Sequence, residues 1–276
     1  MTEEAQVLAD THCHLMVDEF EDDRQAVLDR ARQAGVQILV IPGIDLGSSR
    51  QAVCLAEANQ GVYAAVGIHP QAAETFGPES LDRLRELASS DKVVAVGEIG
   101  LDYYRDAASP SLQRRAFKAQ LDLAAELSLP VIVHQRDSLD DVLRILERWQ
   151  AGLIGSLTGR AGVLHAFSGD AAAAGRATSL GFYLGIGGVV TFRNAHALKS
   201  LIPDLSLARL VTETDSPYLA PHPHRGRRNE PAYTRLVAEE LSALLGVPYS
   251  VIAHETFKNA STLFGWNNGI GDSNLL

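Results

Sequence analysis

The sequence has only two cysteines, Cys13 and Cys54, and neither stands in a CxxC or CxxH spacing. That excludes a disulfide framework and a thiolate zinc knuckle, and makes a reducing compartment the default. Lysine is scarce too: Lys92, Lys118, Lys199 and Lys258 are all there are, and arginine supplies the rest of the 24 cations. Set against 34 acidic residues, they leave a net charge of -10. A protein that coats nucleic acid over a broad surface carries a basic excess. The composition therefore excludes that class, but not an enzyme with a small basic site. No stretch reaches the ~18 uninterrupted apolar residues of a membrane span. The N-terminal residues carry acids where a secretory leader carries its basic segment. The reading is a soluble, cytoplasmic protein with no membrane attachment and no demand for an oligomer. A GxGxxG phosphate loop after the first apolar run is missing as well. Gly185, Gly187 and Gly188 form a GxGG near the seventh run, in the wrong place for a dinucleotide fingerprint.

What is present is a period. Short apolar runs occupy 7–14, 38–43, 62–70, 93–100, 131–136, 162–167, 182–188 and 210–216. They are rich in β-branched residues and nearly continuous in hydrophobicity, as parallel strands covered on both faces are. Helical spacing fills 23–34, 80–89, 111–128 and 137–149, and further helices are expected near 231–245 and 248–263. The runs end near 14, 43, 69, 98, 134, 165, 187 and 215. Those ends recur about 30 residues apart, the length of one βα unit. The period predicts an α/β fold, a (β/α)8 TIM barrel in a single domain over 1–266. Residues 267–276, polar and glycine-bearing, read as a flexible tail. A doubly wound open sheet is the alternative.

Polar residues interrupt these runs at one place, the C-terminal end. They are His12, His14, His69, Glu98, His134, His165 and Asp215. In a TIM barrel all such ends meet on one rim, where active sites are built. The HxH spacing turns His12 and His14 to one side and Cys13 to the other. Asp10 alternates with them and is expected to hydrogen-bond a ligand histidine. Imidazoles and carboxylates without paired thiolates suit zinc, manganese or a similar divalent ion. His12, His14, Glu98, His134, His165 and Asp215 exceed what one tetrahedral ion needs, so two ions are expected, with Glu98 the natural bridge. No lysine stands at a run's end to bridge them instead. His69, in GIHP, falls outside this set and reads as a substrate contact. His196, His222, His224 and His254 fall in helices or loops and are read as ordinary.

Taken in order, DTHCHL, GIHP, VGEIGLDYYRD, PVIVHQRD, LHAFSG, TETDSPYLAP and RGRRNEP resemble the TatD family of metal-dependent deoxyribonucleases. The resemblance runs from residue 10 through the closing helices and implies a barrel of the amidohydrolase-like, metal-dependent hydrolase type. It implies that His12, His14, Glu98 and Asp215 hold one ion, and that Glu98, His134 and His165 hold the other. One departure is Ala166, where the family usually has cysteine; a strand alternation would turn it outward. The resemblance also implies hydrolysis of DNA, often as a 3′-to-5′ exonuclease on single strands.

A metal-bridging water would be the nucleophile of such a reaction, with Asp215 as its general base and Glu98 holding the ions. Asp102, Tyr103 and Arg105 follow Glu98 on one loop: Arg105 is a candidate phosphate clamp, and Tyr103 or Tyr104 a base-stacking ring. Arg225, Arg227 and Arg228 form the densest basic run, right after Asp215, and are expected to hold a nucleic-acid backbone. Pairing of those arginines with local acids such as Glu230 is the plainer reading. The same ligands would serve an ester or amide hydrolase, for example a D-aminoacyl-tRNA deacylase. A non-enzymatic metal-bound scaffold is the remaining reading.

Overall fold

Apolar runs covered on both faces become strands, and the computed structural model has one for each run. It describes residues 6–105, 107–153, 155 and 157–266; the expected tail lies outside them. The strands are β1 (Leu8–Asp10), β2 (Val36–Pro42), β3 (Val62–Val66), β4 (Val93–Asp102), β5 (Val131–Arg136), β6 (Gly162–Leu164), β7 (Phe182–Ile186) and β8 (Leu210–Thr212). All neighbours pair in parallel and in sequential order. Closure runs between β8 and β1. The Thr11 amide donates to the Thr212 carbonyl at 3.1 Å, the Asp215 amide donates to the His12 carbonyl at 2.9 Å, and Cys13 bridges Ser216. The result is the barrel that the period predicts, not the open doubly wound sheet.

The helices are α1 (Arg24–Gln33), α2 (Leu46–Ala58), α3 (Ser80–Leu87), α4 (Pro110–Leu127), α5 (Leu139–Gln150), α6 (Ala171–Ser179), α7 (His196–Leu201), α8 (Thr234–Leu245) and α9 (Tyr249–Phe264). Local chemistry sets their ends. Asp45 accepts the Ser48 amide at 2.7 Å while Ser48 Oγ accepts the Asp45 amide at 2.9 Å, a reciprocal box that starts α2. Ser109 caps α4 ahead of Pro110. The helix expected from 137 begins only at Leu139, because Asp137 takes φ +53°. Among the described residues no single helix is long and apolar enough to cross a membrane.

Alternation divides the core in two. Leu39, Ile41, Val131, Val133, Leu164 and Leu184 join the larger cluster, between sheet and helices. Ile38, Val40, Ile132, Val163, Tyr183 and Val211 alternate with them and fill the lumen together with Leu263, Phe264 and Trp266 at its N-terminal end. The lumen below is thus apolar and sealed. The next inward positions along the strands, His134 after Ile132 and Glu213 after Val211, carry titratable groups at the open mouth.

Candidate metal centre

Several strands stop short of their apolar runs. β1 ends at Asp10, β3 at Val66, β6 at Leu164 and β8 at Thr212, so His12, His14, His69, His165 and Asp215 stand on the loops just above. Glu98 and His134 lie within β4 and β5. Glycine lets these two strands approach: Gly100, at φ +140°, pairs with His134, and a Cβ there would strike the His134 carbonyl.

Two carboxylates flank a pair of imidazoles. His12 Nε2 and His14 Nε2 face each other at 3.1 Å. Glu98 Oε2 lies 3.4 and 3.8 Å from them, and Asp215 Oδ1 lies 3.8 and 3.4 Å away. Bonds of about 2.0–2.1 Å at tetrahedral angles place ligand atoms roughly 3.3 Å apart, so His12, His14 and Glu98 fit one divalent cation, while Asp215 borders the same imidazoles and groups with His12 and His165. Two buried imidazole nitrogens aimed at each other have little other reason to be so placed. Burial pushes the His12 pKa down, and the neighbouring His165 adds to that effect. Burial would raise Glu98, but His69 and His12 hold its carboxyl well below the usual range. Asp215 is likewise held down, against its burial, by His165 and His14. Both acids are therefore ionised and His12 is neutral, the forms in which each ligates.

Glu98 turns its other oxygen to a second group. Oε1 lies 2.8 Å from His134 Nδ1 and 3.7 Å from His69 Nε2. Behind His134, Asp102 Oδ2 sits 3.3 Å from Nε2, a carboxylate–histidine pair that leaves Nδ1 facing the centre. Burial works against a charged His134, yet Asp102 and Glu98 hold its pKa up to about 9. His69, Glu98 and His134 lie close enough to share an ion by distance alone. Hydrogen bonding argues otherwise for His69. Its Nδ1 accepts the Gln71 amide at 3.1 Å, and burial pushes its pKa down to about 4. A neutral ring with Nδ1 as acceptor carries its proton on Nε2. His69 thus presents an N–H to the centre, a donor rather than a ligand.

His165 stacks on His12 with centroids 3.5 Å apart, and its Nε2 lies 3.7 Å from Asp215 Oδ1. It groups with His12 and Asp215 rather than with Glu98 and His134, the set that the resemblance implies. Glu213 stands behind it. Oε1 lies 2.9 Å from His165 Nδ1, off the angle of a good hydrogen bond, and accepts the Ala166 amide at 2.6 Å. Burial opposes charge on His165, but Glu213 and Asp215 hold its pKa up to about 10. Sequence reasoning gave Glu213 no role; continuing the inward alternation Val211, Glu213, Asp215 would have found it.

Several expected contacts are elsewhere. Asp10 accepts the His12 amide, the Thr214 amide and the Thr214 hydroxyl, so it fixes backbone rather than a histidine ring. Asp102 is fully buried; besides His134 it accepts from Gln71 and from the Tyr104 and Arg105 amides, which leaves it no face for substrate. The Tyr103 hydroxyl donates to Asp141 at 2.7 Å and accepts from Arg114 at 3.0 Å, and its ring packs on the core. Tyr104 is the exposed neighbour, 59% accessible, with the Arg136 guanidinium 3.8 Å over its ring. Arg105 is exposed beside it. Arg228 is bound to Asp23, Glu230 and the Glu19 carbonyl, so the plainer reading holds for it. Arg227 is exposed, and Arg225 stacks 3.7 Å over Phe192. Ala166 does not point outward: β6 has ended, φ is +46°, and the residue lines a cavity beside Asp215.

Comparisons with known proteins identify the family. A family model described as TatD related DNase matches residues 9–265. An uncharacterized metal-dependent hydrolase, YabD of Bacillus subtilis, is 39% identical, with 95% of this chain and 100% of that protein covered. A protein named 3′-5′ ssDNA/RNA exonuclease TatD, from Cronobacter sakazakii, is 38% identical over 89% of this chain and 93% of its own length. The crystal structure of YJJV, a TatD homolog from Escherichia coli, superposes with a TM-score of 0.87 at 36% identity, covering 94% of this chain and 98% of that one. The chain belongs to the TatD-related DNase family of metal-dependent hydrolases.

Proposed function

We propose that this protein is a two-metal phosphodiesterase that removes nucleotides from the 3′ ends of single-stranded DNA. One observation carries the reading: Glu98 divides its two oxygens between the His12–His14 pair and the His134 side. A carboxylate so placed suits a bridge between two ions, zinc, manganese or magnesium. His12, His14, Glu98 and Asp215 would hold one ion, and Glu98 with His134 the other. Ions bound there supply an activated water and neutralise phosphoryl charge. Asp215, ionised and part-exposed at the mouth, takes the proton of the attacking water. His69 donates its Nε2 proton in a hydrogen bond to a phosphoryl oxygen, which stabilises the charge that grows there. Relatives named as ssDNA/RNA exonucleases support the substrate class.

The test is metal-loaded protein incubated with 3′-labelled and 5′-labelled single strands, a D-aminoacyl-tRNA and simple lactones. EDTA treatment and Asp215→Asn serve as controls. Metal-dependent loss of 3′ nucleotides is expected. Intact DNA beside a cleaved acyl bond would overturn the proposal in favour of an ester or amide hydrolase.

A further inference from the structure

A cavity of about 260 Å³ opens beside Asp215, between the loops that follow β6, β7 and β8. Phe167, Val189, Leu198 and Leu219 give it apolar walls, and Glu213 and Asp215 form its inner side. A hole of roughly 150 Å³ lined by apolar side chains is enough to take up benzene, so a flat heterocycle fits with room to spare. Glycine lets two of its walls meet: a side chain at Gly188 would collide with the Leu219 carbonyl. Asn194 forms the outer wall and shares it with a second hollow of about 360 Å³. There Arg193 and Arg225 stand with Phe192 and His222, and the Arg225 guanidinium carbon lies 3.7 Å from the Phe192 ring centre. A guanidinium held over a ring in this way keeps edge N–H groups to donate, which suits a phosphate.

We infer that these two hollows form one nucleotide subsite on the 5′ side of the scissile bond, base in the apolar cavity and 5′-phosphate between Arg193 and Arg225. The order of parts along a strand gives the assignment. From the metal centre outward a chain would present the scissile phosphate, a nucleoside, then that nucleoside's own 5′-phosphate. The protein presents donors for the first, an apolar slot, then two arginines. The inference rests on the proposed nuclease reading and adds the residues that hold the retained nucleotide.

Minimal substrates test it without relying on any one variant. Dinucleotides are compared with and without a 5′-phosphate, and with the 5′ residue abasic. Removing the 5′-phosphate is expected to raise KM roughly tenfold, and to do so no longer once Arg193→Ala and Arg225→Ala are combined. The abasic substrate is expected to lose a similar factor, and Leu198→Trp, which fills the slot, to abolish that difference. If all three dinucleotides are cleaved with one KM, the subsite is wrong while the nuclease reading stands. If none is cleaved and longer DNA is also intact, the nuclease reading falls and takes the subsite with it.

Discussion

Asp102 and Glu213 stand in the same relation to their histidines. Each is a fully buried carboxylate placed behind an imidazole, His134 or His165, whose other nitrogen faces the mouth. Such partners fix which nitrogen is free and raise its basicity, and their loss costs about 10–100-fold in metal affinity. Glu213→Gln keeps the shape and removes the charge, so calorimetric titration with Zn²⁺ or Mn²⁺ is expected to show weaker binding in that range. The fold is expected to survive, read by circular dichroism. Wild-type affinity in the variant would mean that Glu213 only supports the Ala166 amide. Gly185→Ala is expected to copy the defect, because its Cβ would occupy the place of Glu213 Oε2. The histidines and Glu98 were legible in the sequence because each is a polar residue at the end of an apolar run. Asp102 and Glu213 were present in the same motifs, and alternation turns Glu213 inward, but which histidine each acid serves depends on a partner 32 or 48 residues away, a pairing no local pattern encodes.

The run HPHRGRRNEP divides into two elements of opposite use. Its first half faces the arginine hollow, whereas Arg228, Asn229 and Glu230 fasten the β8 loop to α1. Arg228 donates to Asp23 and Glu230, Arg30 donates to the same two acids, and Asn229 Nδ2 reaches the Thr214 and Tyr218 carbonyls. Read along the chain the run is one basic patch, because Asp23 and Arg30 lie some 200 residues earlier. The strands and most helices were legible for the opposite reason, since their apolar period is local. Two measurements follow at this scale. Arg228→Ala is expected to lower thermal stability and leave KM for DNA unchanged, the reverse of Arg225→Ala. Arg228, helped by Arg30, holds the Asp23 carboxyl down to about 2 against the opposing effect of burial. The folded state therefore binds fewer protons than the unfolded chain between roughly pH 4 and pH 2. Stability from this pair is complete above that window and disappears as pH falls through it. Asp23→Asn is expected to cost under ~1 kcal/mol at pH 7, as other exposed ion pairs do, and nothing at about pH 1, below both pKa values. A deficit that persists at about pH 1 in denaturant titrations would locate the effect outside the ion pair.

At the scale of the whole molecule, a net charge of -10 and a nucleic-acid substrate are compatible only if the strand meets a small part of the surface. The mouth alone collects Glu98, Asp102, Glu213 and Asp215, so without ions the site itself repels a phosphodiester. Two divalent ions would cancel those four charges, and Arg193 and Arg225 would add a positive excess that reaches one further phosphate. The affinity for single strands should then depend on salt only weakly. Each phosphate neutralised on a single strand contributes about -0.7 to the slope of log affinity against log salt, so a slope between about -1 and -2 is expected. Filter binding with phosphorothioate-ended strands across a salt series reads it directly. EDTA should abolish binding altogether, because the arginines alone face an uncompensated acidic mouth. A slope of about -5 or steeper, or binding that survives EDTA, would place the strand on a broad cationic surface. The scarcity of lysine and the excess of acid argue that no such surface exists, and this titration sets that argument against a number.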